Sequence, residues 1–199
     1  MNLKKYYMIV VINVILSLTV FTSIFPAPIG VVDNWSHFRN GQEFLKKKNY
    51  SAAENNFRYY LRHPAVHKYM IGVAHFGLGL LYQDLKRDDL AVKEYNLAIK
   101  NDVHPDVSVK GKALMNLGSI HMKRKHYDDA IYVYAQAIKH NKRNGLAYYY
   151  LGLASLKVGN YEEAREASVK ARKLGVPFDE LSNRLKKIKK SEAKTRSSK

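Results

Sequence analysis

The order of apolar and polar positions divides the chain into a continuous apolar stretch, a long region of helical periodicity and a polar end. From Tyr6 to Phe25 the apolar run is broken only by Asn13, Ser17, Thr19, Thr22 and Ser23. Twenty helical residues rise roughly 30 Å, the thickness of a bilayer's hydrocarbon core. The polar residues inside the run are small and uncharged, and Ser and Thr hydroxyls can bond back to the helix backbone. Tyr6 and Tyr7 fall where an interfacial aromatic belt is expected, and Lys4 and Lys5 with the amino terminus hold that end in the cytoplasm. The expectation is a single-span anchor over residues 6–25, with everything after it on the extracytoplasmic, periplasm-like side. Removal as a secretory signal is the alternative, although Ala27 has Phe25 two residues before it and Pro28 directly after it, a poor cleavage site. Pro26-Ala27-Pro28-Ile29-Gly30 reads as a stiff linker, so residues 1–30 form anchor and linker.

Beyond the linker the chain repeats itself. Aligned on Gly41, Gly79, Gly118 and Gly152, the spacings are 38, 39 and 34 residues, and the last three glycines follow Leu78, Leu117 and Leu151. Twelve residues after each glycine stands Ala53, Ala91, Ala130 or Ala164. Four further on come Phe57, Tyr95 and Tyr134, with Ser168 in the fourth unit, and three beyond that Tyr60, Ala98, Ala137 and Ala171. Small residues at this period allow two helices to approach closely, and aromatics fill the space between them. Turn signals fall within the units at Lys48-Asn49, Arg87-Asp88, Lys125-His126 and Gly159-Asn160, while Pro64, Pro105 and Pro177 lie beyond the second helices. One such hairpin cannot bury its apolar face alone; four stacked units can.

This pattern resembles the tetratricopeptide repeat, a helix-turn-helix unit of about 34 residues. The resemblance covers roughly residues 34 to 177 and is best at Leu78-Gly79-Leu80-Leu81-Tyr82 and over Leu151-Gly152 to Ala164. Departures are Asn40 in place of leucine in the first unit, and His121 and Ser155 in place of the first-helix aromatic in the third and fourth. It implies an all-α fold, a right-handed superhelical solenoid of about four helix-turn-helix repeats over residues 31–177. One transmembrane helix precedes it. After Pro177, apolar residues at Phe178, Leu181, Leu185 and Ile188 lie on one helical face, which suits a capping helix over residues 178–190. Residues 191–199 are basic, lack apolar periodicity and are expected to be without structure.

Composition narrows the chemistry. The chain has no cysteine, which removes disulfides, thiolate metal sites and cysteine nucleophiles together. None of the eight histidines sits in a metalloprotease-type motif. His63 and His67 have Pro64 between them, and His121 with His126 lacks a carboxylate at a recognised ligand spacing. Gly77-Leu78-Gly79 lies inside a helical pattern and follows no strand, so it is a packing feature and not a nucleotide loop. Asp88-Asp89 and Asp128-Asp129 stand at the starts of second helices, where carboxylates suit the free N–H groups. No catalytic residues, cofactor or metal are therefore expected, and the chain is not read as an enzyme.

The formal charge of +17 draws anionic partners without choosing among them. Lys186, Lys187, Lys189 and Lys190 have no aromatics interleaved, so nucleic acid is not the expected partner. The resemblance implies a partner-binding groove along the first helices. In this sequence it would carry Trp35, Phe38, Gln42 and Leu45, then Phe76, Leu80 and Gln83, then Lys112, Met115, Asn116, Ser119 and Met122, then Tyr149, Leu153 and Leu156. Trp35 and Phe38 are expected to be the more exposed of these. Some family members hold a peptide carboxylate with a clamp of two Lys, two Asn and one Arg. Here Phe38, Gln42 and Gly77 occupy three of those places, and Lys112 and Asn116 keep the others. The expected function is a membrane-tethered scaffold or assembly factor that binds a peptide, helix or partner protein in a largely apolar groove. That partner would be another membrane or envelope protein, acidic in character. The alternative is a secreted or peripheral binder of anionic lipid or polymer through the basic surface.

Overall fold

Lys48, Lys86 and Lys125 adopt positive φ angles of 56°, 57° and 63°, and Gly159 takes the same place with φ 82°. Each residue reverses the chain between two helices, and the bond that closes each reversal recurs. Asn49, Arg87, His126 and Asn160 donate backbone N–H bonds of 2.8–2.9 Å to Phe44, Tyr82, His121 and Ser155. This is the six-residue closure of a Schellman-type helix end. The next helix then starts at once, with Asn49 and Asn160 accepting from Ala52 and Glu163 backbone N–H groups as N-caps.

A computed structural model of the chain describes residues 29–63, 70–103, 108–177 and 180–197. Among these residues the regular structure is helical, without strands. In chain order the helices are α1 (Ile29–Lys46), α2 (Tyr50–Arg62), α3 (Ile71–Asp84), α4 (Asp88–Lys100), α5 (Lys110–Lys123), α6 (Tyr127–His140), α7 (Gly145–Lys157), α8 (Tyr161–Lys173) and α9 (Glu180–Ser197). The anchor expected at residues 6–25 lies outside the described residues, as do His67 and Phe178 and the Pro64 and Pro105 junctions. Among the described residues no helix is long and apolar enough to cross a membrane.

The chain divides into two compact units, residues 1–66 and 67–199. In the first, α1 and α2 form a hairpin whose core is Phe38, Gly41, Ala53, Phe57 and Tyr60. Phe38 meets Phe57 edge-on at 6.2 Å and Tyr60 at 5.2 Å between ring centroids. His37 Nδ1 lies 2.9 Å from Asn56 Oδ1, a polar tie across the same hairpin.

In the second unit, α3–α4, α5–α6 and α7–α8 are hairpins that follow one another, with α4 against α5 and α6 against α7. The periodic glycines are where a second-helix ring presses onto a first helix. A Cβ on Gly79 would stand 2.5 Å from the Tyr95 ring, and one on Gly118 2.5 Å from the Tyr134 ring. In the last hairpin Ser168 supplies no ring, and the space over Gly152 is taken by Leu181 from α9, at 2.6 Å from such a Cβ. With Leu185, Leu181 completes a cluster containing Tyr149, Ala164 and Ala171. Ser168 and Ser182 pair at 2.9 Å, and Arg172 donates to Ser182 at 2.7 Å, so α9 is also held by polar bonds. The α9 backbone continues past residue 190 to Ser197, into the stretch expected to lack structure. Lys, Glu, Ala and Arg there extend an already nucleated helix at little cost without any apolar period.

The two departures at the first-helix aromatic position are accommodated differently. Ser155 is fully buried, its hydroxyl shared between the Leu151 carbonyl at 2.9 Å and Glu163 Oε2 at 2.7 Å. His121 is half-buried at the end of α5.

Candidate interaction face on the first helices

In the first unit, Trp35 is 38% exposed and stacks on Phe38, with ring centroids 5.3 Å apart and planes 14° from parallel. Phe38 is 2% exposed and belongs to the core, against the expectation that it would stand open beside Trp35. The reason is that α1 begins at Ile29, so Phe38 lies mid-helix facing Phe57 and Tyr60. Gln42 is exposed and Leu45 half-buried.

In the second unit, α3 presents Phe76, Leu80 and Gln83, all half-buried, and α5 presents Lys112 and Ser119 exposed with Met115, Asn116 and Met122 half-buried. Met115 and Met122 pack on the core between the α5–α6 and α7–α8 hairpins and so are partly used up by the fold. Gln83 and Asn116 are brought together by a buried residue of α4. Tyr95 donates its hydroxyl proton to Gln83 Oε1 at 2.5 Å and accepts from Asn116 Nδ2 at 3.1 Å. Burial raises the Tyr95 phenol above the ordinary tyrosine range, while the Asn116 bond pulls it back. The phenol stays protonated and the bridge is kept. Phe76 lies over the same ring, 5.8 Å between centroids at 45°. Asn116, one of the two retained clamp-type residues, thus serves to join α5 to α4.

On α7 the expected lining is divided, with one residue in the core and two half-buried. Tyr149 is buried, and Leu153 and Leu156 pack on the cluster that α9 completes.

A second grouping forms at the α5–α6 turn. By linear spacing His121 and His126 lack a carboxylate in the right place, but the reversal at Lys125 folds Asp129 back onto them, with Oδ2 at 3.8 Å from His121 Nδ1 and 3.9 Å from His126 Nδ1. Burial holds the His121 imidazole below its ordinary value and the Asp129 carboxylate acts the other way. Asp88 and Asp89 face outward from α4 to Lys123 at 2.7 Å on α5 and to Arg124 at 2.8 Å, the residue that caps α5, adding ion pairs between hairpins to their place in the first turn.

The repeated reversal, the glycine-on-ring contact and the order of the hairpins coincide with a known sequence family, whose profile matches residues 38–102 and 112–172. The chain belongs to the tetratricopeptide repeat family. Proteins of this family mediate protein–protein interaction or assembly. Among solved structures it is similar to MamA from Desulfovibrio magneticus RS-1, residue 41 to the end. The identity is 21% and the TM-score 0.65, with 83% of this chain and 90% of that chain covered. It is also similar to pilF of Pseudomonas aeruginosa, at 20% identity and TM-score 0.60 over 81% of this chain and 70% of that one. At such identities the likeness concerns the fold. No curated protein matches the chain. Set against the family pattern, Tyr95 and Tyr134 are the ordinary second-helix aromatics. In the fourth unit the place of that aromatic is taken by Leu181 from α9.

Proposed function

We propose that the chain is a membrane-tethered scaffold that holds a protein partner against the first helices α3 and α5 of its tetratricopeptide repeats. The observation that carries the reading is the row of half-buried Phe76, Leu80 and Gln83 on α3 beside Lys112, Asn116 and Ser119 on α5, fixed by the Tyr95 bridge. Such a row offers apolar contact with positioned polar groups, the composition that accepts a partner helix or extended segment. Lys112 and the net charge of +17 favour acidic groups in that partner. Residues 6–25 serve as the anchor, with the repeats on the extracytoplasmic side. Confinement of both proteins to one membrane raises their effective concentration, so modest contacts suffice.

A photo-activatable residue placed at Leu80 or Ser119 in the native membrane tests the face. Crosslinks to one partner are expected there and not from Asn96 or Ala135, which are exposed on the second helices. Equal crosslinking from the second helices would refute it. Phe76→Ala with Lys112→Glu should weaken capture while the helical circular dichroism is retained. A reporter active only outside the cytoplasm, fused after Lys199, should work; activity of a cytoplasmic reporter in its place would reverse the topology.

A second reading draws on one feature, a cleft of about 250 Å³ between α8 and α9 flanked by Arg165, Arg172, Lys186 and Lys189. Four cations around a cleft suit an anionic lipid or polymer. Binding there should fall steeply with added salt, whereas capture on the first helices should not.

A further inference from the structure

The interaction face leaves the α5–α6 turn unused, yet three side chains with metal-binding chemistry converge there. His121 near the end of α5, His126 at the N-cap of α6 and Asp129 in its first turn each bring one ligand atom within 4.8 Å of the others. The two contacts to Asp129 Oδ2, 3.8 and 3.9 Å, are too long for hydrogen bonds. Two ligands on a tetrahedral Zn2+ stand about 3.4 Å apart, so each Asp129 contact has to close by about half an ångström and the two imidazoles by up to about 1.4 Å. His126 and Asp129 are exposed and free to make that adjustment.

An independent observation concerns His121 alone. Its Nδ1 is buried and, among the described residues, is the one buried side-chain nitrogen or oxygen without a hydrogen-bond partner. A buried ring nitrogen in that state is costly unless something satisfies it. It belongs to the residue that stands where the family pattern has an aromatic, so no packing role calls for an imidazole there. The cluster opens on a cleft of about 450 Å³ lined by Lys125, His126, Tyr127, Asp128, Asp129 and Val158. Of the neighbouring cations, Arg124 is turned to Asp89, 2.8 Å away, and Asp128 adds a second carboxylate against Lys125.

We propose that His121, His126 and Asp129 bind one divalent first-row transition cation, with the fourth position open to this cleft for water or a ligand. Two imidazoles and one carboxylate suit Zn2+, Ni2+ or Cu2+, and the set is a poor match for Ca2+ or Mg2+, which take oxygen ligands. The bound cation joins the end of α5 to the start of α6 across a turn held otherwise by backbone bonds and a left-handed lysine. The site is separate from the proposed interaction face, and either can fail without the other.

The test is titration of the full-length, untagged chain with zinc chloride alone, in competition with a chromogenic chelator. One Zn2+ per chain is expected. His126→Ala and Asp129→Asn should each weaken binding by roughly tenfold or more, since even substitutions outside the ligand shell commonly have such effects. His140→Ala, at the far end of α6, should leave it unchanged. Co2+ in place of Zn2+ should give the visible band of a low-coordinate site, and both variants should lose it. Should Asp129→Asn disturb the fold, His126→Ala decides alone, because His126 makes no side-chain cap bond. Absence of saturable uptake, or unchanged affinity in His126→Ala with the helical signal retained, would overturn the site.

Discussion

Leu181 is the residue on which the end of the repeat array turns, and its role can be measured as a coupling. It is 1% exposed and fills the space above Gly152, where the family's aromatic would otherwise lie. Leu181→Ala removes a fully buried side chain from a closed site, and comparable substitutions cost about 3–5 kcal/mol through lost transfer energy and residual cavity. Gly152→Ala alone should gain about 1 kcal/mol of helix propensity. It would also place a Cβ 2.6 Å from Leu181 Cδ2 and 3.3 Å from Ala164 O and Ala167 Cβ. Overpacking of that kind costs about 1–3 kcal/mol, so a net loss of roughly 1 kcal/mol is expected. Once Leu181 is alanine the tightest of these contacts is gone, and the propensity gain remains. Gly152→Ala should then be neutral or stabilising, which sets the coupling at about 1–2 kcal/mol. Urea unfolding of the two single variants, the double variant and the parent, followed by helical circular dichroism, measures it. Equal effects of Gly152→Ala in both backgrounds would refute the docking of α9 through Leu181.

Two further outcomes follow from the turns and the buried rings. No atom lies within 4 Å of a Cβ built on Gly159, so Gly159→Ala isolates the backbone cost of its φ of 82°. It should lose about 1 kcal/mol in the same urea assay, while Lys86→Gly, at φ 57°, should gain a similar amount. Burial pushes the Tyr60 phenol up to about 12 and raises Tyr95 and Tyr134 as well. The unfolded chain releases these protons near pH 10 and the folded chain holds them, so this stabilisation is complete below about pH 10 and is lost as the pH rises toward 12. Tyrosinate absorbance should therefore show a late fraction that appears together with loss of the helical signal, and a single early step for all tyrosines would contradict it.

The repeat was legible because its cause is steric and local. Gly79 and Gly118 must be small for Tyr95 and Tyr134 to reach the facing helix, and the Ala91 and Ala130 positions keep the hairpin narrow, so the contact fixes a sequence period. The reversals were legible for the same reason at Gly159-Asn160, though less so at Lys48, Lys86 and Lys125, where lysine takes a left-handed conformation that favours glycine. What could not be read was which apolar face of a first helix is covered. The α3 and α7 helices are apolar on nearly all sides, so a period of 3.6 marks the helix without choosing between core and groove. Tyr149, expected in a groove, is core on that account, whereas Phe38 is core because α1 starts as early as Ile29. The His121, His126 and Asp129 cluster was missed because its geometry comes from a chain reversal, and its linear spacings of five and three match no metal-site motif.

The closed end also limits where a partner can lie. In an open stack every first helix would contribute equally, but here Leu153 and Leu156 of α7 are packed on the cluster that α9 completes, and Tyr149 lies within it. The apolar positions of α7 are thus partly spent on the fold, and α9 adds Arg184, Lys186, Lys187, Lys189 and Lys190 beyond them, all exposed. Within the second unit, the first-helix positions tied to one another by side-chain hydrogen bonds are those of α3 and α5, joined through Tyr95. A partner engaging that row would meet apolar side chains at α3, polar and cationic ones at α5, and a basic edge toward α9. An acidic, amphipathic helix laid along α3 and α5 satisfies that order of surfaces, and a wholly apolar one does not.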